Sequence, residues 1–284
     1  MLKLQTVVSC AIVTLAVLLS ANKVLGDEPA TQRGSSPTQA TRVEFTAFDQ
    51  TRQAYYEYAP KPLDPTRPLM LFIALHGHGS NADQIFSGAY AEFNATLDAA
   101  ADNNGIVIAP EYRPTTSWMG PEAEKDVLQI IEEQKSKRKF AIVVISGGSM
   151  GGSSALTFTA LHPELIDGVV AMNPTANHLE YDKFQDAISE SFGGTKQEIP
   201  LEYKARSAEY FPERFLNVPT AITLGSKDVV VPPDSARRFA AVLEKIGGKV
   251  LCIERSDLDH TTQYPEARRA FQFVVDAISQ ARAQ

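Results

Sequence analysis

The sequence predicts an α/β fold, a mostly parallel twisted sheet of about eight strands covered by helices on both faces. Two observations carry this expectation. Six near-continuous apolar runs, at 69–75, 105–109, 140–145, 168–172, 219–224 and 249–254, have the pattern of strands buried on both faces. Helix-compatible stretches at 82–102, 122–135, 149–161, 234–246 and 265–281 alternate with them. Regular alternation of strand and helix implies a parallel sheet with helices packed on each side.

The elements can be justified in order. Residues 42–48 and 54–58 alternate apolar and polar side chains, as an antiparallel opening pair would. The basic run Lys135-Ser136-Lys137-Arg138-Lys139 follows the second helix, where cations favour the carbonyl end. Gly247-Gly248 stops the fourth helix, since glycine adopts the left-handed conformation of a C-terminal cap without strain. The alternation is interrupted once, after the sixth strand. Residues 173–218 form an excursion with short helical stretches at 184–192 and 201–210. A connection of that length reads as a cap or binding loop. Its aromatics, Tyr181, Phe184, Phe192, Tyr203, Tyr210 and Phe211, read as a satellite core beneath the loop, with direct substrate contact as the alternative. No internal repeat is present.

The chain has 284 residues, 44% apolar, enough for one large domain after an N-terminal segment is set aside. That segment, 1–26, reads as a signal peptide. Lys3 supplies the positive start, 7–19 an apolar stretch short for a membrane span, and Val24-Leu25-Gly26 a cleavage region before Asp27. Residues 27–41 are rich in Pro, Gly, Ser, Thr and Gln and read as a disordered linker, leaving 42–284 as the folded domain. The expected location is therefore periplasmic or extracellular, with no stable membrane insertion once the signal is removed. Cleavage would leave Cys252 as the single cysteine, which makes no intrachain disulfide and is expected to be a small buried hydrophobe. Net charge is −7 with the signs interspersed, which excludes nucleic acid or an anionic membrane as the main partner. Oligomeric state is not legible.

The most informative stretch is Ile145-Ser146-Gly147-Gly148-Ser149-Met150-Gly151-Gly152. An apolar β-branched run enters it and a helical run leaves it. A serine on such a sharp strand-to-helix turn is forced into strained geometry, and flanking glycines remove the clashes that would forbid it. The following helix aims its free N–H groups at charge that develops beside Ser149. A serine hydroxyl needs a base, and the base needs an orienting acid. In open α/β sheets these groups sit in loops after the carboxyl ends of later strands. Asp228 follows the 219–224 strand and His260 follows the last one, so the order Ser149, Asp228, His260 is the expected one. Asp234 reads as a helix cap. The oxyanion donors are expected to be the N–H of Met150 and, from His76-Gly77-His78-Gly79, the N–H of His78, with Gly77 next. A His-x-His metal site has no third ligand nearby, and no cofactor or metal is expected. Tyr112, Arg113 and Trp118 follow the 105–109 strand and should lie on the same sheet edge as Ser149. Tyr112, Trp118 and His178 are the candidate substrate-pocket residues, with packing of Trp118 against the next helix as the alternative.

Together these residues resemble the α/β-hydrolase superfamily from about residue 42 to the C-terminus. Gly147-x-Ser149-Met150-Gly151-Gly152, with Trp118 and a helix carrying Asp126 upstream, is similar to single-domain esterases related to feruloyl and acetylxylan esterases. It is also similar to the catalytic domain of the prolyl oligopeptidase family, although the chain's length is expected to leave no room for a preceding β-propeller. The resemblance implies an α/β-hydrolase fold, Ser149 as nucleophile, Asp228 as acid, His260 as base, and Met150 and His78 as oxyanion donors. One departure is that Leu258-Asp259, not glycine, precedes His260. The resulting expectation is an exported serine hydrolase that cleaves carboxylic esters, on a small molecule or linked to a glycan, by a two-step acyl-enzyme route. A peptidase of the prolyl oligopeptidase kind and a non-catalytic binding protein on a hydrolase scaffold are the alternatives.

Overall fold

The computed structural model describes residues 40–283. The expected signal peptide and nearly all of the expected linker lie outside the described residues. The elements are β1 (Thr41–Thr46), β2 (Arg52–Tyr58), β3 (Met70–Leu75), α1 (Asp83–Phe86), α2 (Ala91–Asp102), β4 (Gly105–Pro110), α3 (Pro121–Lys137) and β5 (Ile142–Gly148). They continue as α4 (Met150–Leu161), β6 (Gly168–Met172), α5 (Gln185–Phe192), α6 (Pro200–Ala205), β7 (Thr220–Gly225), α7 (Asp234–Lys245), β8 (Val250–Arg255) and α8 (Tyr264–Arg282). The eight strands form one sheet in the order β1-β2-β4-β3-β5-β6-β7-β8. β1 pairs antiparallel with β2 and β2 antiparallel with β4. From β4 to β8 every pairing is parallel. This is the mostly parallel eight-stranded sheet that the sequence pattern predicts, in the α/β-hydrolase arrangement that the resemblance implies.

Alternation along the strands builds two cores. Leu71, Ile73 and Leu75 of β3, with Val143 and Ile145 of β5, face α3, α4, α7 and the excursion. Met70, Phe72 and Ala74, with Ile142 and Val144, face α1, α2 and α8. Each parallel strand thus needs apolar residues at both odd and even positions, which is why its run reads as continuous. The strand order has a physical consequence for the site. From β3 the chain moves outward to β4, then crosses back to β5 on the other side of β3. The crossovers leaving β3 and β5 therefore diverge, opening a crevice beyond the carboxyl ends of those two strands.

Three expectations are corrected. The helix anticipated over 82–102 is two helices, because Gly88 takes a left-handed φ of 73° and Tyr90 becomes the extended residue before α2. Cys252 is exposed, not buried: β8 closes the sheet as an edge strand, and none of its residues is fully buried. Asp234 is the first residue of α7 and makes no side-chain cap.

The excursion is anchored by a buried aromatic chain. Trp118 meets His178 edge-on at 6.1 Å between centroids, His178 meets Phe192 at 5.3 Å, and Phe192 meets Tyr203 at 4.9 Å. Arg206, 5% exposed, donates to the Met119 carbonyl and to Glu124 and Glu202, tying the excursion to α3. Thr157 donates its hydroxyl proton to the Arg206 carbonyl, so its oxygen accepts from His178 Nε2, and His178 Nδ1 is left as a bare lone pair. A neutral ring tolerates that position and a cation does not. Burial first, and the nearby Arg206 guanidinium second, push the His178 pKa down from 6.5 to about 3.

The sign of the linkage follows. Between those two values the unfolded chain binds a proton that the folded chain refuses, so the stability contributed by neutral His178 is full above pH 6.5 and is lost as the pH falls toward 3. The expected outcome is that wild type loses unfolding free energy on going from about pH 7 to about pH 5, and that His178→Gln loses measurably less. Urea titrations of both proteins at the two pH values check this, and equal losses would contradict it.

Candidate active site

The crevice beyond β3 and β5 gathers the groups that the sequence places far apart. Ser149 sits between β5 and α4 with φ 58° and ψ −122°, a conformation that costs a non-glycine residue about 1–3 kcal/mol and needs support from its surroundings. That support is visible. The Ser149 N–H donates to the Met172 carbonyl at the end of β6, 2.8 Å away. Gly151 packs its backbone onto β3, where a Cβ would lie 2.1 Å from the Leu75 carbonyl oxygen. A Cβ on Gly147 would lie 2.4 Å from the Gly151 carbonyl carbon. Only glycine at both positions lets the turn close this tightly, and closing it lifts Ser149 into the crevice.

The loops after β7 and β8 supply the next two groups. His260 Nε2 lies 2.8 Å from Ser149 Oγ, and its Nδ1 lies 2.5 Å from Asp228 Oδ2. The other Asp228 oxygen accepts from the N–H groups of Val230 (2.9 Å) and Val231 (2.8 Å). Asp228 is buried while His260 is partly exposed, so the carboxylate is fixed and the imidazole stays reachable. The Tyr181 hydroxyl, from the excursion, donates to the Val230 carbonyl at 2.9 Å and steadies the Asp228 loop. With Nδ1 donating to a carboxylate, Nε2 is free to take a proton from Oγ. That series activates a serine for acyl transfer.

The expected oxyanion donors are backbone N–H groups at the start of α4 and in the loop after β3. Among the described residues no acceptor lies on the N–H of Met150 or of His78. Gly77 differs from expectation: it lines the cleft, but its N–H already donates to Gln84 Oε1 at 2.8 Å, so it is not available to a substrate oxygen. His78 is held by its ring. Trp118 Nε1 donates to His78 Nδ1 at 3.1 Å, which places the neutral ring's proton on Nε2, and partial burial lowers the ring's pKa. His76 is fully buried, its ring set between the carbonyls of Gly77 (2.9 Å from Nδ1) and Glu111 (3.3 Å from Nε2). Both motif histidines therefore shape the loop after β3. Among the described residues, no three His, Cys, Asp or Glu side chains gather where they could hold a metal ion.

The three expected pocket residues are not at the cleft. Tyr112, Trp118 and His178 are 1%, 0% and 0% exposed and pack into the core behind it. Tyr112 donates to the His76 carbonyl at 2.6 Å, and Trp118 and His178 belong to the aromatic chain under the excursion. Large aromatic side chains on a loop in a domain of this size reach the core whenever a covering segment shields them, and residues 173–218 do so here. The cleft itself holds about 550 Å³ and is lined by Gln84, Tyr90, Glu92, Asn173, Phe184 and Val230 around Ser149 and His260. Among the excursion's aromatics, Phe184 lines the cleft: it has a left-handed φ of 53°, stacks on the His78 ring at 4.2 Å, and remains 39% exposed. Tyr181, Phe192 and Tyr203 are buried and form the expected satellite core, whereas Tyr210 is 41% exposed and Phe211 half-buried, outside it. Tyr90 and Glu92 were not legible as cleft residues because they sat inside a stretch read as continuous helix. Their signal was Gly88, which breaks that helix and turns the start of α2 toward the nucleophile.

Comparison with known proteins agrees with this geometry. The prolyl oligopeptidase family matches residues 92–276, more than half of the chain. No curated protein matches. Among solved structures, the chain is similar to a Bacteroides ovatus protein assigned as a dipeptidyl aminopeptidase IV, with TM-score 0.68 and 16% identity over 85% of this chain and 35% of that one. It is similar to an acylaminoacyl peptidase from Pyrococcus horikoshii, with TM-score 0.64 and 15% identity over 86% of this chain and 41% of that one. A thermostable esterase gives TM-score 0.58 and 19% identity over 86% and 63%. The chain thus spans less than two thirds of each of these proteins, and at these identities the likeness is one of fold. The family match runs across α2 to α8, over a serine, histidine and aspartate hydrogen-bonded in series at the sheet's crevice, and this chain belongs to the prolyl oligopeptidase family.

Proposed function

We propose that this protein hydrolyses carboxylic esters by a two-step acyl-enzyme mechanism. The observation that supports it is the series Asp228 Oδ2, His260 Nδ1, His260 Nε2, Ser149 Oγ, at 2.5 and 2.8 Å, beside two backbone N–H groups with no acceptor among the described residues. In the first step Ser149 Oγ attacks the ester carbonyl carbon and its proton passes to His260 Nε2. The carbonyl oxygen becomes an oxyanion within reach of the Met150 and His78 N–H groups, while Asp228 stabilises the imidazolium. His260 then gives the proton to the departing alkoxide, and an alcohol and the acyl-serine result. In the second step His260 takes a proton from water, the hydroxide attacks the acyl carbon, and the proton returns to Ser149 as the carboxylic acid leaves.

Turnover of p-nitrophenyl acetate and butyrate tests the mechanism. Ser149→Ala is expected to abolish hydrolysis and labelling by a fluorophosphonate probe. Asp228→Asn is expected to keep the fold but lower kcat by about 10⁴, since the amide no longer selects the tautomer that leaves Nε2 free. Hydrolysis unchanged in Ser149→Ala would end the assignment.

Peptide hydrolysis is the second reading, and the family match favours it. The open cleft, with aromatic Phe184 and Tyr90 on its rim, also supports acyl groups linked to a glycan, where a sugar or aryl ring stacks on an aromatic face. A panel of simple esters, acetylated and feruloylated glycans, and peptide p-nitroanilides separates the three. Faster turnover of the esters is expected, and cleavage of the anilides without the esters would replace the ester reading with the peptidase one.

Export belongs to the same reading. It is supported by Lys3, the apolar stretch 7–19 and the Val24-Leu25-Gly26 segment before Asp27. The mature protein is expected to begin near Asp27, which N-terminal sequencing of the secreted product checks. An intact Met1 would contradict it.

A further inference from the structure

The cleft contains one formal charge that the acyl-transfer chemistry does not use. Glu92, the second residue of α2, lines the cleft together with Ser149 and His260. Its carboxyl lies against the nucleophile's turn: a Cβ on Gly148 would sit 3.1 Å from Oε1. An acid in a helix's first turn is ordinary, because the helix dipole favours it. Such an acid is usually bathed in water. Glu92 is partly buried, and that burial pushes its pKa up from the usual carboxylate value, against the pull of its own backbone N–H and of His260. Among the described residues it has no ion-pair partner, and the hydrogen bond it accepts comes from its own backbone N–H. No lysine or arginine lines the cleft.

Asn173 also lines the cleft, with its Nδ2 donating to Thr262 Oγ1 at 3.1 Å and its Oδ1 closed off from solvent. Tyr90 and Phe184, 42% and 39% exposed, place aromatic faces on the rim, and such faces attract cations. An anionic substrate would meet Glu92 as a like charge with no lysine or arginine lining the cleft to offset it.

We propose that the cleft binds a substrate bearing a protonated amine, and that Glu92 is the residue that reads it. The proposal rests on the ester-hydrolase reading and names the substrate class of that same site. Glu92 abuts the residue before the nucleophile, so the ammonium lies within a few bonds of the scissile carbonyl. An ammonium supplies the counter-charge that Glu92 lacks.

Isosteric ester pairs test this at about pH 8, where carboxylates are ionised. On the acyl side, β-alanine ethyl ester is compared with ethyl butyrate, which has a methyl in place of the ammonium, and with monoethyl succinate, which has a carboxylate there. On the alcohol side, 2-(dimethylamino)ethyl acetate is compared with 3-methylbutyl acetate. Each kcat/KM is divided by that ester's own rate of hydroxide hydrolysis, which removes the intrinsic activation by a charged substituent. The expected result is a preference of about tenfold or more for the ammonium member of one pair, which also identifies the side it occupies. Monoethyl succinate is expected to fall below ethyl butyrate. In Glu92→Gln, matched to wild type by fluorophosphonate titration of Ser149, the preference is expected to shrink toward one. Wild type that turns over the neutral esters with no preference in either pair overturns the role of Glu92 and leaves the ester reading standing. A preference that survives in Glu92→Gln overturns it as well. No turnover of any of the five esters overturns both.

Discussion

The backbone of Ser149 is the constraint on which the rest of the site depends. A residue with a side chain is held at a φ that glycine alone adopts freely, and it stays there because four elements grip the turn. β5 delivers the chain, α4 takes it away, and the end of β3 lies so close that only glycine fits at 147 and 151. The Met172 carbonyl, at the end of β6, holds the Ser149 N–H. The strain is local and the support comes from the central strands of the sheet. Flattening the turn would require moving β3, β5 and β6 apart, against the apolar packing on both faces.

Strand order then explains why one crevice collects everything. Because β4 and β5 lie on opposite sides of β3, the loops after β3 and β5 part and leave room between them. His78 comes from the first loop and Ser149 from the second. β7 and β8 lie farther along the same sheet, and parallel pairing puts their carboxyl ends on the same rim. Gly225, the last residue of β7, packs so closely on the loop after β8 that a Cβ would lie 1.9 Å from the Asp259 carbonyl oxygen. The loops bearing Asp228 and His260 are therefore set against each other by backbone contact, and the short Nδ1 to Oδ2 distance follows from it.

The excursion works from behind. Tyr181 braces the Asp228 loop and Arg206 ties the covering segment to α3, over Trp118, which orients the His78 ring. Its contribution inside the cleft is Phe184, held at a left-handed φ so that its ring covers His78. A segment that supports the site through buried contacts and reaches it with one exposed ring is built to leave the nucleophile open and to shape what approaches it.

Periodicity and spacing along the chain were enough to locate eight strands, the long helices, the Ser149 turn, and the order of Ser149, Asp228 and His260. Those features are local: a strand buried on both faces must be apolar throughout, a tight turn must carry glycine, and residues after strand ends in a parallel sheet share one rim. Contacts across the fold decided the rest. Cys252 is exposed because β8 closes the sheet, and a run of residues does not say whether another strand will pair beyond it. Gly77 keeps its N–H for Gln84, seven residues away on the next turn of chain, and that contact depends on how α1 is placed. Tyr112, Trp118 and His178 are core, and Tyr90, Glu92 and Phe184 are cleft, because burial is set by which segment lies over which. That is a property of the three-dimensional packing, and pairwise neighbours in sequence carry no record of it.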